Sequence, residues 1–226
     1  MARNAASMTV DAVLFDLDGT LADTALDLGA ALNRLLAEED RAMLSLAETR
    51  PHTSNGTRGL LGAGFGIVPG DAAYAGLAKR FLDHYENALC EHTVLFAGVA
   101  ELLAGLESHG LPWGVVTNKP QRFTLPLLEG LGLRQRCACI VSGDSAPRPK
   151  PHPSPLLLAC VAANARPERS LYVGDDERDI VAGRAAGMIT VAAAYGYLGV
   201  ASPPSSWQAH VVVNHPGEVL GLLELA

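Results

Sequence analysis

The stretch VLFDLDGTLADT, residues 13–24, places two aspartates directly after a run of apolar residues. A short apolar run of this kind predicts a buried β-strand. Alternate side chains of a strand point to the same face, so we expect Asp16 and Asp18 to lie on one side. Two carboxylates held close together repel each other. The stretch therefore predicts a cation between them, or a proton on one of them.

Composition and charge limit the classes of function. The chain has 226 residues, 49% of them hydrophobic and 18% charged, which suits one large or two small globular domains. The formal net charge of -7 offers no attraction to nucleic acid or to an anionic membrane. No apolar run approaches the ~20 residues of a membrane-spanning helix, and MARNAASMTV at the start lacks the apolar core of a signal peptide. We expect a cytoplasmic monomer or homodimer with no nucleic-acid or membrane partner.

The four cysteines predict a reduced protein. Cys90, Cys137, Cys139 and Cys160 form no CxxC pair and are too sparse for a disulfide framework. Cys137 and Cys139 form a CxC pair that could mark a metal or redox site. We favour the alternative, in which both are small buried residues on one face of a strand.

Short apolar runs alternate with helical patterns along most of the chain. The predicted strands are AVLF (12–15), WGVVTN (113–118), CACIVSG (137–143), LYVGD (171–175), ITVAAAYG (189–196) and AHVVVN (209–214). Helical patterns cover residues 98–110, 121–132, 153–165, 177–187 and 217–225, and Pro126 is expected to kink or shorten the second. This alternation predicts an α/β fold with a doubly wound, Rossmann-like parallel sheet.

Residues 22–92 interrupt the alternation. They contain no convincing strand, but amphipathic helical patterns at 25–39 and 72–89 flank a polar, glycine-rich stretch at 49–66. We expect an all-helical cap domain over residues 22–92, inserted after the first strand of a core domain made of residues 1–21 and 93–226. Ligands of open α/β sheets bind at the carboxyl ends of the strands, so this insert can cover the site as a lid.

Polar residues follow four of the predicted strands and should meet at one edge of the sheet. They are Asp16 and Asp18, then Thr117, Asn118 and Lys119, then Lys150, and finally Asp175, Asp176 and Asp179. Three carboxylates near one point make a hard-oxygen site suited to Mg²⁺. A hydroxyl, an amide and an ammonium can hold phosphate oxygens. One carboxylate can attack a bound phosphoryl group while a second transfers a proton.

These residues also carry a resemblance to a known family. DLDGT, VVTN, the isolated Lys150 and VGDDERD resemble the four motifs of the haloacid dehalogenase superfamily, in the same order. The resemblance extends over essentially the whole chain, and the helical insert is similar to the cap of that family. It implies an α/β enzyme that uses Mg²⁺.

The resemblance implies a role for each matching residue. Asp16 would be the nucleophile, and Asp18 the general acid/base that also offers its main-chain carbonyl to the metal. Asp175 would complete the metal site, and the family pattern favours it over Asp176. The remaining roles are phosphoryl binding by Thr117 and Asn118, charge neutralisation by Lys150, and orientation of Lys150 or of a water on the metal by Asp179.

The second aspartate of DxD favours phosphoryl transfer, because a dehalogenase has no need of it. DLDGTLADTALDL, GLPWGVVTNKP and YVGDDERDIVAGRAAGM resemble phosphoglycolate phosphatases and also a close group that acts on N-acetylmuramic acid 6-phosphate. LPWGVVTNKPQRFTLPLLEGLGL and SGDSAPRPKPHPSPLLLAC particularly resemble the second group. We expect hydrolysis of a small carboxylate-bearing phosphate ester through an aspartyl-phosphate. The first candidate substrate is 2-phosphoglycolate, and N-acetylmuramic acid 6-phosphate is the alternative.

Three further interpretations remain open at this point. Arg58, in HTSNGTRG (52–59), is predicted to contact the end of the substrate that lacks the phosphate. A phosphomutase of the β-phosphoglucomutase kind would share every catalytic residue and differ in the lifetime of the aspartyl-phosphate. A non-catalytic domain resembling a phosphorylated receiver would lack both the insert and the acid/base aspartate.

Overall fold

The computed structural model describes residues 10–199 and 202–223. The helices are α1 (Ala25–Glu38), α2 (Leu46–Thr49), α3 (Gly56–Phe65), α4 (Tyr74–Asn87), α5 (Val99–Ser108), α6 (Gln121–Gly130), α7 (Ser154–Ala162) and α8 (Glu177–Ala185). The strands are β1 (Ala12–Phe15), β2 (Ala22–Asp23), β3 (Val94–Leu95), β4 (Trp113–Val116), β5 (Cys139–Val141), β6 (Ser170–Gly174), β7 (Ile189–Ala193) and β8 (Val211–Val213). The first nine residues, on which the signal-peptide expectation rests, and the last residues of the helix predicted at 217–225 lie outside the described residues.

Six strands form one parallel sheet in the order β5-β4-β1-β6-β7-β8. They coincide with the six predicted strands. β1 lies between β4 and β6, and Val13 is paired with Trp113 of β4 on one side and with Leu171 of β6 on the other. The chain builds the sheet from β1 to one edge and then continues from β6 to the other. The order therefore reverses next to β1, which is where open α/β sheets bind ligands.

Both faces of the sheet are covered, which explains the continuous apolar runs. Val13 and Phe15 of β1 pack on the face that carries Leu102 of α5. Leu14, between them, points to the opposite face and joins Leu156 of α7. A strand buried on both sides has no polar face to alternate with its apolar one. The predicted doubly wound α/β fold is confirmed.

The residues between the short strands β2 and β3 form a helical unit with its own core. Its buried apolar residues include Leu32, Leu36, Leu60, Leu61 and Phe81. The glycine-rich stretch at 49–66 is ordered as a 3₁₀ helix (Arg50–Asn55) followed by α3. Gly64 faces Leu32 closely, since a Cβ there would lie 3.0 Å from that side chain. Small residues thus let α3 approach α1.

A short antiparallel pair forms the neck of this unit. β2 pairs with β3, so the chain enters and leaves the helical unit side by side. Asp27, buried in the first turn of α1, accepts hydrogen bonds from the main-chain nitrogens of His92 and Thr93, each at 2.9 Å, and from Thr93 Oγ1 at 2.7 Å. The neck was not predicted, and a domain boundary at residues 22 and 92 stays a prediction.

Two helix predictions differ in detail. Pro126 lies inside α6, which continues past it to Gly130, two residues before the predicted end at 132. The last predicted helix, at 217–225, is a 3₁₀ helix over Pro216–Leu222. Its glycines at 217 and 221 have low α-helix propensity, which accounts for the tighter, shorter element.

The cysteines pack as small apolar residues and are free thiols. Burial raises the pKa of Cys137 to about 12 and that of Cys139 to about 11, so neither is a ready nucleophile or metal ligand. Among the described residues, none of the helices combines the length and apolar character needed to cross a bilayer.

The close packing of α8 on β7 makes a testable prediction. A Cβ at Gly183 would lie 2.5 Å from Cγ2 of Thr190, so Gly183→Ala should lower the free energy of unfolding by about 1–3 kcal/mol. Gly76 in α4 is exposed and has open space around it. Gly76→Ala should therefore raise the same quantity by about 1 kcal/mol through helix propensity. Urea unfolding measures both, and equal effects of the two substitutions would contradict the packing described.

Candidate active site

The polar residues that follow the strands meet at the carboxyl edge of the sheet. A cavity of about 300 Å³ opens there, between the sheet and the helical insert. The predicted site residues in its wall are Asp16, Asp18, Arg58, Thr117, Asn118, Lys150 and Asp179. Asp175 lies behind this wall and is fully buried.

Lys150 occupies the centre of the site. Its Nζ lies 2.8 Å from Asp16 Oδ1 and 2.7 Å from Asp179 Oδ1, and it also contacts the Tyr172 hydroxyl at 2.7 Å and the Val116 carbonyl at 2.9 Å. Burial alone would lower the pKa of Lys150, but the two carboxylates outweigh burial and raise it. A buried charge is tolerated when it is paired and hydrogen-bonded, and these four partners meet that condition.

The carboxylates around Lys150 carry more negative charge than the lysine neutralises. Burial raises the pKa of Asp16 to about 6 against the opposing effect of Lys150, and the nearby Asp179 adds to the rise. Burial also raises the pKa of Asp175 well above its usual value, together with the charges of Asp16 and Asp179. The site therefore favours an additional cation.

Asp175 is held by hydrogen bonds from three parts of the chain. It accepts them from Thr20 Oγ1 at 2.9 Å, from the main-chain nitrogen of Tyr197 at 3.0 Å and from Ser54 Oγ at 3.3 Å. Gly19, with φ of +91°, lies against this carboxylate, and a Cβ there would overlap it. The glycine of DLDGT thus serves both the turn after β1 and the space for Asp175.

The residues present fit a divalent cation. Carboxylate oxygens of Asp16, Asp175 and Asp179 all lie within 4.8 Å of one another. Such an all-oxygen donor set suits Mg²⁺ rather than a softer metal. Of the predicted metal set Asp16, Asp18 and Asp175, the first and last contribute carboxylates to this cluster, whereas Asp18 was expected to contribute its main-chain carbonyl.

Asp18 and Asp16 are paired with different lysines. Asp18 Oδ1 accepts hydrogen bonds from Thr24 Oγ1 at 2.7 Å and from Lys119 Nζ at 2.9 Å. β1 ends at Phe15, so strict strand alternation does not extend to Asp18. Each carboxylate of the DxD pair therefore has its own cation.

The N-terminus of α8 distinguishes Asp175 from Asp176. Asp176 caps that helix and accepts hydrogen bonds from Arg178 Nε at 2.8 Å and Nη2 at 2.9 Å. Asp179 Oδ2 accepts one from the main-chain nitrogen of Asp176 at 3.2 Å and completes a capping box. Asp176 is thus engaged with Arg178, and Asp175 and Asp179 belong to the carboxylate cluster.

Asn118 fixes the main chain at Lys150. Its Nδ2 donates to the Lys150 carbonyl, and its Oδ1 accepts from the Lys150 nitrogen, both at 2.9 Å. Thr117 Oγ1 accepts from the Lys119 nitrogen at 3.1 Å. Both residues lie in the cavity wall, and phosphate binding by them stays a prediction.

Tyr197 links the carboxylate cluster to the neck of the insert. Its nitrogen donates to Asp175, while its hydroxyl donates to Asp23 Oδ1 and accepts from the Ala25 nitrogen, both at 2.9 Å. The insert makes a second contact through Ser54, whose carbonyl accepts from Arg178 Nη2 at 2.7 Å.

Sequence reasoning assigned no role to Lys119 or Tyr85, although both lie in the cavity wall. Lys119 directly follows Thr117 and Asn118, and this position in the sequence is the one sign that its side chain belongs to the site. Tyr85 is an ordinary apolar position of α4 by its spacing. Arg58 is exposed in the wall that the insert contributes.

Comparison with known proteins agrees with this geometry. The sequence profile of the haloacid dehalogenase-like hydrolases matches residues 13–193. The chain belongs to the haloacid dehalogenase-like hydrolases. Membership of this hydrolase family confirms the predicted enzyme class.

Curated relatives extend the match to nearly the whole chain. An N-acetylmuramic acid 6-phosphate phosphatase of Pseudomonas putida is 42% identical over 219 residues, 97% of this chain and 98% of the relative. A phosphoglycolate phosphatase of Xanthomonas campestris pv. campestris is 45% identical over 208 residues, 92% and 94% of the two chains. A crystal structure described as a "predicted phosphoglycolate phosphatase" of Haemophilus somnus superposes with a TM-score of 0.84 at 26% identity, covering 96% and 99%.

The buried lysine gives a pH-dependent prediction. Lys150→Met should lower the free energy of unfolding at pH 8 by about 3–5 kcal/mol, because Asp16 and Asp179 lose their cation. The folded-state pKa of Asp16, raised to about 6 with Lys150 present, should rise further. The pKa of Asp16 in the unfolded chain is 3.8. As the pH rises from this value to the higher folded-state pKa, the ionisation of Asp16 opposes folding more and more. The loss should accordingly be smaller at pH 5 than at pH 8.

Urea unfolding with a chelator at both pH values measures this difference. Lys79→Met is the matched control, since Lys79 is 77% exposed in an ion pair with Asp83 and should change stability by less than about 0.5 kcal/mol. A loss of the same size at both pH values would argue against the charge balance described here.

Proposed function

We propose that this protein is a Mg²⁺-dependent phosphomonoester hydrolase that works through an aspartyl-phosphate on Asp16. The observation that carries the proposal is the buried Lys150 ammonium in the cavity wall, bonded to Asp16 and Asp179 beside Asp175. The naming of its full-length relatives as phosphatases supports the same reaction.

The reaction follows from the side chains around the cavity. Asp16 attacks phosphorus as the bond between phosphorus and the ester oxygen breaks, and Asp18 gives its proton to the departing oxygen. Asp18 then takes a proton from the water that hydrolyses the aspartyl-phosphate, and inorganic phosphate leaves. Lys150 offsets the charge of the phosphoryl oxygens, which Thr117 and Asn118 receive.

Asp16, Asp175 and the main-chain carbonyl of Asp18 would hold Mg²⁺. When bound, it supplies positive charge that neutralises and orients the phosphoryl oxygens. Asp179 keeps Lys150 in place through the 2.7 Å contact and acts through that lysine.

The proposed substrate is a small phosphate ester that also bears a carboxylate, and 2-phosphoglycolate is the first candidate. N-acetylmuramic acid 6-phosphate is a second candidate, favoured by the cavity itself. Leu28, Phe81, Leu82 and Phe123 give the cavity an apolar wall. This wall suits a sugar ring and an acetyl group, and a two-carbon acid would leave much of the cavity to water.

Other properties of the enzyme stay predictions. These are a cytoplasmic location, a monomeric or homodimeric state and the absence of nucleic-acid and membrane partners. A phosphomutase of the β-phosphoglucomutase kind would use the same residues but return the phosphoryl group to the sugar.

The reaction can be tested by phosphate release from 2-phosphoglycolate, N-acetylmuramic acid 6-phosphate, glucose 6-phosphate and β-glucose 1-phosphate. We expect release with Mg²⁺ and none with a chelator, strongly favouring one carboxylate-bearing ester. Asp16→Asn should lower turnover by about 10³-fold or more. Asp18→Asn should lose turnover while retaining Mg²⁺ and ligand binding, because the metal-facing group of Asp18 is its main-chain carbonyl.

Two outcomes would oppose the proposal. An isomerised sugar phosphate in place of free phosphate would favour the phosphomutase. No product from any ester, with the protein folded and Mg²⁺ bound, would favour a binding domain.

The role of Arg58 has its own test. Arg58→Ala should raise KM for the carboxylate-bearing ester by about tenfold, the effect of losing roughly 1.4 kcal/mol of binding. Activity on an aryl phosphate without a carboxylate should persist. Arg134→Ala is the control, because Arg134 is exposed and paired with Glu129 outside the cavity. An equal fall with both substrates would show that Arg58 does not contact the end of the substrate that lacks the phosphate.

A further inference from the structure

Lys119 is a buried cation in the cavity wall whose position the proposed reaction does not explain. Its side chain is 8% exposed, and its Nζ lies 2.9 Å from Asp18 Oδ1. The same Nζ lies 4.6 Å from the centroid of the Tyr85 ring, a cation–π contact. Removing an ammonium from water is costly, so a site that buries one has a use for its charge.

The main chain of Lys119 is firmly anchored. Its nitrogen donates to Thr117 Oγ1 at 3.1 Å, and its carbonyl accepts from Thr124 Oγ1 at 3.0 Å and from the Gly143 nitrogen at 2.8 Å. The ammonium therefore starts from a fixed point on the core. Preorganisation of this kind is what ligand recognition requires.

Lys119 retains a donor for a ligand. An ammonium has three N–H groups. One is used by Asp18 and one faces Tyr85. Because Lys119 lines the cavity, the third N–H is available to a molecule bound there.

Tyr85, which lies beside Lys119, supplies a second polar group at the same place. The residue is 1% exposed, and its hydroxyl oxygen is buried with no hydrogen-bond partner in the part of the chain that the structure describes. Such an orphan hydroxyl is unfavourable unless a bound group completes it. Burial raises the pKa of Tyr85 to about 12 against the opposing effect of the neighbouring Lys119 ammonium, so the hydroxyl keeps its proton. Tyr85 and Lys119 lie side by side in the cavity wall.

A carboxylate is the group that suits this pair of donors. Its two oxygens accept several hydrogen bonds and carry the charge opposite to that of Lys119. One oxygen can accept from the free N–H of Lys119 and the other from the Tyr85 hydroxyl. A neutral hydroxyl on a ligand would satisfy one donor and leave the Lys119 charge without a new partner.

The position of Lys119 also fixes where this carboxylate lies on the substrate. Asp18 must reach the departing ester oxygen, and Lys119 Nζ is in direct contact with Asp18. A carboxylate bound to Lys119 therefore lies close to that oxygen, as in 2-phosphoglycolate, where it is attached to the ester carbon. In N-acetylmuramic acid 6-phosphate, the carboxylate lies across the sugar ring from the ester oxygen.

We propose that Lys119 and Tyr85 form a subsite that binds a substrate carboxylate attached to the carbon next to the ester oxygen. This subsite rests on the proposed phosphatase function and selects among its candidate substrates. Lys119 and Tyr85 are specificity-determining residues, and Lys119 contacts the substrate as well as Asp18.

The test compares kcat/KM for 2-phosphoglycolate with kcat/KM for its uncharged amide, in the presence of Mg²⁺. The wild-type ratio should strongly favour the acid. Lys119→Met should lower this ratio by about 30-fold or more, the effect of removing one partner of a buried charge pair. Lys119→Arg should retain most of this preference for the acid. Tyr85→Phe should lower the preference by raising KM for 2-phosphoglycolate. Lys79→Met, an exposed lysine of the same helix as Tyr85, should leave it unchanged.

Three results would overturn the subsite. If Lys119→Met and Lys119→Arg lower both rates equally, Lys119 acts through Asp18 alone. If the wild-type enzyme hydrolyses acid and amide equally well, or hydrolyses N-acetylmuramic acid 6-phosphate but not 2-phosphoglycolate, the subsite is wrong and the phosphatase function stands. If no ester in the wider panel is hydrolysed, the proposed function fails together with the subsite.

Discussion

The ammonium of Lys150, buried between Asp16 and Asp179, is the interaction on which the rest of the site depends. Its four partners come from the end of β1, the end of β4, the middle of β6 and the first turn of α8. Each partner is costly to bury without the others, because the desolvation of a charge is repaid only by a complete set of contacts. The site therefore assembles as one unit with the central strands.

The fold was predictable because its signals are local. Each central strand is a continuous apolar run, and the polar residue that ends it stands at a fixed place in the sequence. Parallel pairing then brings Asp16, Thr117 and Asp175 to one edge, wherever the intervening helices lie. The two-residue strands β2 and β3 escaped prediction because so short an element has no measurable period. The family pattern favours Asp175 over Asp176, and the capping geometry of α8 shows that Asp176 is engaged with Arg178.

The partners within the site were less predictable, for a physical reason. Lys119 is separated from Asp18 by 101 residues, and no pattern around either residue reveals that they meet. A single lysine in a sequence is usually solvated, whereas the Lys119 side chain is 8% exposed. Tyr85 is packed, as a tyrosine at its position should be, but its contact with Lys119 has no signal in the sequence. Tyr197 is similar, since its nitrogen serves Asp175 and its hydroxyl serves the neck. Such roles become visible when distant elements are placed side by side.

The neck formed by β2 and β3 has a consequence for how this architecture can vary. Because the two ends of the helical unit lie next to each other, the sheet can form whatever the length of chain between them, and loop-closure entropy grows only slowly with that length. An exchange of the whole unit would alter the wall that meets the substrate and leave the carboxylates and Lys150 in place. Substrate choice can thus diverge as a module while the phosphoryl chemistry is inherited intact.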